Sequence, residues 1–184
     1  MMAHILNVQE LDLVTPPINC WNKQGHGSLD IREAIEQSCN VFFTTIGFEL
    51  GKDSEGNFSE ARSLGMLQKY ASLMGLDQKT GIEISEASPQ VSDKNAVPSY
   101  IGQGTNAFTT SQLARYASTI ATSGTIYKLS LLDRVTDSKG KLIKEYPPKQ
   151  LDSWIFPAIS GMTSMTVCIV WCRLMISLTD LELK

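Results

Sequence analysis

Gly25-His26-Gly27-Ser28-Leu29-Asp30-Ile31-Arg32-Glu33-Ala34-Ile35-Glu36-Gln37-Ser38-Cys39-Asn40-Val41-Phe42-Phe43 is the stretch that decides how this chain folds. Behind the Gly-His-Gly triplet, Ile31, Ala34 and Ile35 recur at helical spacing, and Asp30 stands near the cap position. A short helix is therefore predicted from Ser28. Ser38-Cys39-Asn40 interrupts the pattern before Val41, Phe42, Ile46 and Leu50 resume it, and Gly51 supplies a glycine stop. The tripeptide thus falls at a junction between two helices.

Further along, Ala61, Leu64, Leu67, Ala71 and Met74 form one face of a helix predicted over Ser59 to Met74, with Gly75 as its stop. Gly81 to Ile84 reads as a short strand. Thr109 and Gln112 make a capping box for a third helix that runs to Ser123 and ends at Gly124, its expected core face being Leu113, Tyr116, Ala117 and Ile120. Leu131 to Thr136 and Lys141 to Tyr146 flank Asp137-Ser138-Lys139-Gly140, so a hairpin is predicted there, outside the core. The helices are expected to pack around Phe42, Phe43, Leu67, Tyr70, Leu113 and Tyr116. Helices outweigh strands and no repeat is present, which gives an α+β class.

The 184 residues are 42% hydrophobic and 19% charged, the composition of one ordinary globular domain. A net charge of −3 with no run of Lys or Arg excludes the electrostatic footprint of a nucleic-acid or anionic-membrane binder. The four cysteines, Cys20, Cys39, Cys168 and Cys172, are too sparse for a disulfide framework. With only His4 and His26 beside them they make a poor metal inventory, and no metal or other cofactor is expected. Glu10 and Asp12 interrupt the N-terminal apolar residues, so no secretory signal is read there. Met162 to Leu178 carries Arg173 with several Ser and Thr, and reads as a buried or misplaced helix rather than a membrane span.

Several phrases recur in order with the opening stretch: Gly75-Leu76-Asp77-Gln78-Lys79-Thr80-Gly81-Ile82-Glu83-Ile84, Tyr100-Ile101-Gly102-Gln103-Gly104, Thr109-Thr110-Ser111-Gln112-Leu113-Ala114 and Ser123-Gly124-Thr125. Together they resemble the surroundings of the second active-site motif of class B penicillin-binding proteins, the peptidoglycan D,D-transpeptidases. The resemblance implies the helix-rich part of a penicillin-binding protein/β-lactamase-like domain, with most of its sheet missing. Such enzymes use Ser-x-x-Lys, Ser-x-Asn and Lys-Thr-Gly motifs for serine acyl transfer between stem peptides. Ser38-Cys39-Asn40 resembles the second. There Ser38 would relay a proton, which needs a group able to donate and accept, and Asn40 would orient a substrate carbonyl. Taken alone, Ser-x-Asn is better explained by helix capping, and its setting between the Gly-His-Gly helix start and an aromatic second helix reverses that reading.

Two spellings of the other motifs are decoys. Lys79-Thr80-Gly81 lies in what resembles a recurring structural turn of the family, where Lys79 would be solvated. Ser138-Lys139-Gly140-Lys141 sits in the hairpin turn, whereas a catalytic serine needs its lysine one helical turn away. Cys39 is expected to be a buried filler, His26 a loop-fixing hydrogen-bonder, and Gly102-Gln103-Gly104 a tight loop ahead of the Thr109 helix.

The chain divides into a divergent segment over 1–19, a partial transpeptidase domain over 20–162, and an atypical apolar tail over 163–184. Ile159 to Met162 still resembles the family, but Val167 to Arg173 does not, as a shifted reading frame would produce. The nucleophilic Ser-x-x-Lys and the strand-borne Lys-Thr-Gly are absent. The expected function is that of a penicillin-binding D,D-transpeptidase, inactive in this chain, with a non-catalytic peptidoglycan-peptide or protein binding module as the alternative. Peptidoglycan stem peptides, β-lactams and cell-division or elongation proteins are the partners the resemblance implies, and neither nucleic acid nor metal is among them. It places the parent family on the extracytoplasmic face of the bacterial membrane, although no signal or anchor is read here.

Overall fold

A computed structural model describes residues 6–8 and 18–153. The readings made above for Ile159 to Met162, Met162 to Leu178, Cys168, Cys172 and His4 lie outside the described residues.

Asp30 begins the helical part. Its carboxylate accepts from the N–H groups of Arg32 and Glu33, and the Glu33 side chain accepts in return from the Asp30 N–H, a complete capping box for α1 (Ile31–Glu36). The residues before it are not helical: β2 (Gly27–Leu29) pairs antiparallel with β1 (Leu6–Val8), so the helix expected from Ser28 starts beyond Asp30. The pairing satisfies backbone groups that a longer helix would have had to cap itself.

Ser38 breaks the helix with a φ of 49°, and α2 (Asn40–Gly51) begins two residues later. Leu29, Ala34, Cys39, Val41 and Phe42 form a buried apolar cluster, with Cys20, Phe43 and Ile46 packed against it. The other side of α2 meets α3 (Glu60–Leu73) closely. Ser63 Oγ donates to Gly47 O at 2.7 Å, Tyr100 Oη donates to Ser63 O at 2.9 Å, and a Cβ on Gly47 would stand 2.5 Å from the Tyr100 ring. Glycine is thus required at 47 by the close approach. Ser59 caps α3 within the range the sequence predicts for that helix, and Gly75, at a φ of 72°, follows its end.

Between α3 and α5 (Thr110–Ala121) the chain forms loops and the short α4 (Ala96–Ser99). Gly81 to Ile84, expected as a strand, belongs to no sheet. Its polar groups are used otherwise: Thr80 O accepts from Leu129 N–H, and the Glu83 carboxylate accepts from Ser130 Oγ and Leu131 N–H.

The capping box of Thr109 and Gln112 starts α5 as expected. The buried face of this helix is a correction to the sequence reading. Gln112, Arg115 and Thr119 are buried, while Leu113 is 48% exposed and Ala117 is exposed. Tyr70 of α3, expected in the core, is also 47% exposed. The reason is a set of directional bonds on the inner side. The Arg115 guanidinium donates to the carbonyls of Gly75, Gln78 and Lys79, and Gln112 Nε2 donates to Ala87 O. Those carbonyls have to be satisfied where they are buried, and they turn the polar face inward.

The chain continues as β3 (Thr125–Lys128), β4 (Arg134–Thr136), β5 (Leu142–Glu145) and β6 (Lys149–Ser153). β3 pairs antiparallel with β6, and β4 with β5. The β4–β5 unit is the predicted hairpin, its turn held by the Asp137 carboxylate, which accepts from the N–H groups of Lys139 and Lys141. With these three two-stranded sheets and a helix-dominated core, the described residues are α+β.

Candidate active site

The bend between α1 and α2 fixes where the Ser-x-Asn residues point. Ser38 adopts the left-handed backbone, its N–H donates to Ile35 O at 3.1 Å, and its side chain is exposed. Its hydroxyl has no hydrogen-bond partner among the described residues. Asn40 is the first residue of α2, and its Nδ2 donates to Asn19 O at 3.4 Å. Neither side chain caps the helix: the N-cap is Cys39, and no side-chain cap bond is formed. Ser38 nonetheless closes α1 through its backbone, since besides its own bond to Ile35 O the Cys39 N–H donates to Ala34 O at 2.9 Å, the pair of bonds by which a left-handed residue ends a helix.

Cys39 is fully buried between them and anchors the junction in the apolar cluster. Burial pushes its thiol pKa up, the Phe42 N–H opposes this, and Cys20 alongside raises it further. A thiol so placed is protonated and unreactive as a nucleophile, consistent with its reading as a filler. The Asn19 to Gly27 loop lies beside it. Trp21 Nε1 donates to Gln37 O at 2.8 Å, and the Trp21 ring meets His26 edge-on at 5.2 Å between centroids. His26 Nδ1 lies 3.5 Å from Cys20 Sγ.

Cys20, His26 and Cys39 bring their ligand atoms within 4.8 Å of one another. That convergence was missed in the sequence, where the search for tight cysteine or histidine pairs pointed to Cys168 and Cys172. A strand turn between His26 and Cys39 creates it, so only the pairing of β2 could have signalled it.

The two decoy motifs lie elsewhere. Thr80 is fully buried, and its N–H and Oγ1 donate to Glu86 Oε2 at 2.8 and 3.0 Å. Arg115 holds Lys79 O at 2.8 Å, and the Lys79 side chain is exposed, so Lys79-Thr80-Gly81 is a hydrogen-bonded loop rather than a strand. Glu86 is the hub of this loop, accepting also from Thr109 Oγ1 and Ser111 Oγ. Burial raises its pKa, but the bonds from Ser111, Thr80 and Thr109 outweigh it and hold the carboxyl below its ordinary value. Ser138 and Lys141 are exposed in the β4–β5 turn. Gly104, at a φ of 91°, lets its loop close on Ser92 and Ser99, a Cβ there falling 2.4 Å from Ser99 Oγ. No described helix is long and apolar enough to cross a membrane.

Comparison with known proteins identifies the family. Residues 4–156 match the family described as penicillin binding protein transpeptidase domain. Stage V sporulation protein D of Bacillus subtilis is 27% identical over 117 residues, 60% of this chain and 16% of that protein. Penicillin-binding protein 2B of Streptococcus pneumoniae superposes with a TM-score of 0.69 at 22% identity, covering 89% of this chain and 29% of that one. Penicillin-binding protein A of Mycobacterium tuberculosis, solved as an imipenem acyl-enzyme, superposes with a TM-score of 0.66 at 20% identity, covering 90% of this chain and 37% of that one. The chain spans less than a fifth of the length of the curated relatives it matches. With the match extending over most of its residues, this chain belongs to the class B penicillin-binding proteins, within their transpeptidase domain.

Proposed function

We propose that this chain supplies the Ser-x-Asn wall of a peptidoglycan D,D-transpeptidase site, and that on its own it does not acylate. Ser38 relays a proton between the reacting serine and the leaving or attacking nitrogen. Asn40, at the start of α2, donates to the carbonyl of a stem peptide or β-lactam and orients the scissile bond. The observation that carries this reading is the α1–α2 junction itself: an exposed Ser38 hydroxyl without a partner among the described residues, held in left-handed backbone and anchored by the fully buried Cys39. A proton relay needs such a hydroxyl, free to turn its donor and acceptor sides.

Acylation also needs a serine activated by a nearby base. The sequence spells Ser-x-x-Lys once, at Ser138 to Lys141, in an exposed β-turn. The chain is thus expected to give no covalent adduct when incubated with a fluorescent penicillin and examined by denaturing electrophoresis and intact mass. An adduct on Ser38 or Ser138 refutes the assignment. By family membership the activity belongs on the extracytoplasmic face of the membrane.

A second reading, a non-catalytic module that binds peptidoglycan peptides, is favoured by the weak tether of Asn40, whose one side-chain bond is 3.4 Å long. Saturable binding of a D-Ala-D-Ala peptide that is lost in Asn40→Ala supports it. Absence of binding removes it.

A further inference from the structure

Both strands of the β4–β5 hairpin are exposed along their whole length. Ile143 is 65% and Leu142 48% exposed on β5, and Val135 of β4 is 39% exposed. No third strand lies beside β5 among the described residues, so its outer edge carries backbone groups without a neighbouring strand. A lone two-stranded hairpin is marginal in water, and three or more strands are needed to make such a unit stable. The edge therefore calls for a partner strand.

Charge narrows which strand fits. From 134 to 149 the chain carries Arg134, Lys139, Lys141, Lys144 and Lys149 against Asp137 and Glu145, although the whole protein has a net charge of −3. Arg134 is paired with Asp133, and the Asp137 carboxylate is engaged with the turn N–H groups. Lys139, Lys141 and Lys144 have no carboxylate partner among the described residues, and Lys144 Nζ lies 4.5 Å from the centre of the Tyr146 ring. Lysines on an edge repel the same edge of another copy. They favour a strand that brings acidic side chains.

One segment of this chain has that composition. Thr179-Asp180-Leu181-Glu182-Leu183, outside the described residues, alternates acidic and apolar side chains with the period of two of a half-buried strand. Its tether is long enough. β5 ends at Glu145 and β6 at Ser153, a stretch of eight residues that spans at most about 29 Å. A flexible stretch as long as 154–178 spans about 25–30 Å on average, and a helix over Met162 to Leu178 would itself bridge about 25 Å.

We propose that Thr179 to Leu183 adds to the outer edge of β5 as the third strand of the hairpin sheet. Ile143 and Lys144 point to opposite faces, as successive strand residues do. The added strand sets Leu181 and Leu183 on the face of Ile143, and Asp180 and Glu182 on the face of Lys144. A slip by one residue would bring the carboxylates against Ile143 and the leucines against Lys144, so the alternation fixes the register. The pairing covers the most exposed apolar side chain of the hairpin and gives its lysines opposite charges across the strand. It is independent of the role proposed for Ser38.

The test uses the full chain under a reductant, with hydrogen–deuterium exchange read at 141–146 and 179–183 and circular dichroism as the check on folding. Both segments are expected to be protected at low protein concentration, by about 10-fold or more over an open strand edge. Asp180→Lys with Glu182→Lys places like charges across from Lys144 and should lower protection in both segments about 10-fold. Lys144→Glu alone, at an exposed position, should lower it at 179–183 as well. Combining the reversed tail with Lys141→Glu and Lys144→Glu should restore protection, which non-specific packing of the tail would not give. Absence of protection from either segment of the folded parent overturns the proposal. So does protection that survives both charge reversals, or a loss that the charge swap does not recover. Protection that rises with protein concentration, together with dimers in sedimentation, assigns the strand to a second copy and overturns pairing within one chain.

Discussion

Arg115→Met should remove a large part of the stability of this fold. The guanidinium is 2% exposed and donates to three main-chain carbonyls, those of Gly75, Gln78 and Lys79. Burial lowers its pKa and the charges of Glu86 and Asp77 oppose this, so it stays charged, as arginine does in proteins. Methionine fills similar space but leaves all three carbonyls without a donor, at about 1–3 kcal/mol each. Relief of the arginine's own desolvation offsets part of the loss, and the net cost comes to about 3–5 kcal/mol. Against a total stability of about 5–15 kcal/mol that is a substantial fraction. With a urea m-value of about 2 kcal/mol/M, the unfolding midpoint followed by circular dichroism should fall by about 2 M. Arg115→Lys, able to reach fewer carbonyls with a compact ammonium, should fall between the variant and the parent. A shift below about 0.5 M for Arg115→Met at unchanged m-value would refute the claim that these bonds orient α5.

Glu86→Gln should be less stable than the parent at neutral pH and converge with it in acid. The folded pKa is lowered, so the contribution of Glu86 is full above the unfolded value of about 4.3 and is lost as pH falls through the folded one. Urea midpoints measured from pH 7 down to pH 3 check this, and a constant difference across that range contradicts it. Gly47→Ala should destabilise by about 1–2 kcal/mol despite better helix propensity, because the added methyl meets the Tyr100 ring. Gly65→Ala, also within a helix but with nothing within 4 Å of the new methyl, should stabilise by about 0.5–1 kcal/mol. Thermal melts of the two variants separate the effects. Leu113→Glu should change stability by no more than about 0.5 kcal/mol in a thermal melt, since that side chain is nearly half exposed.

Local chemistry was legible wherever it acts over a few residues. The caps at Asp30 and Thr109 and the hairpin turn at Asp137 to Gly140 follow from side chains that reach nearby backbone, the break at Ser38 from local backbone bonds, and each stands where the sequence places it. What escaped the sequence depends on partners distant along the chain. The inward face of α5 is chosen by carbonyls near residues 75–79, so the apolar stripe of Leu113 and Ala117 misled. The Gly81 to Ile84 segment has the pattern of a strand but finds its partners through Glu83 and Thr80 instead. At the candidate site, Ser38 and Asn40 could be singled out from their surroundings. The approach of Cys20 and His26 to Cys39 could not, because it needs β2 to turn the chain back over α2.

The inverted packing of α5 also bears on how this chain reaches its fold. Hydrophobic collapse is indifferent to direction, and by itself it would roll this helix over and drive Leu113 and Ala117 inward. Only when the Arg115 fork has found its three carbonyls does the native orientation gain an advantage over the rolled alternative. Here local amphipathicity and tertiary bonding disagree, a point of frustration in an otherwise consistent landscape. A covering element against the Leu113 side of the helix would resolve it, turning the outward stripe from a competitor of the native state into its support.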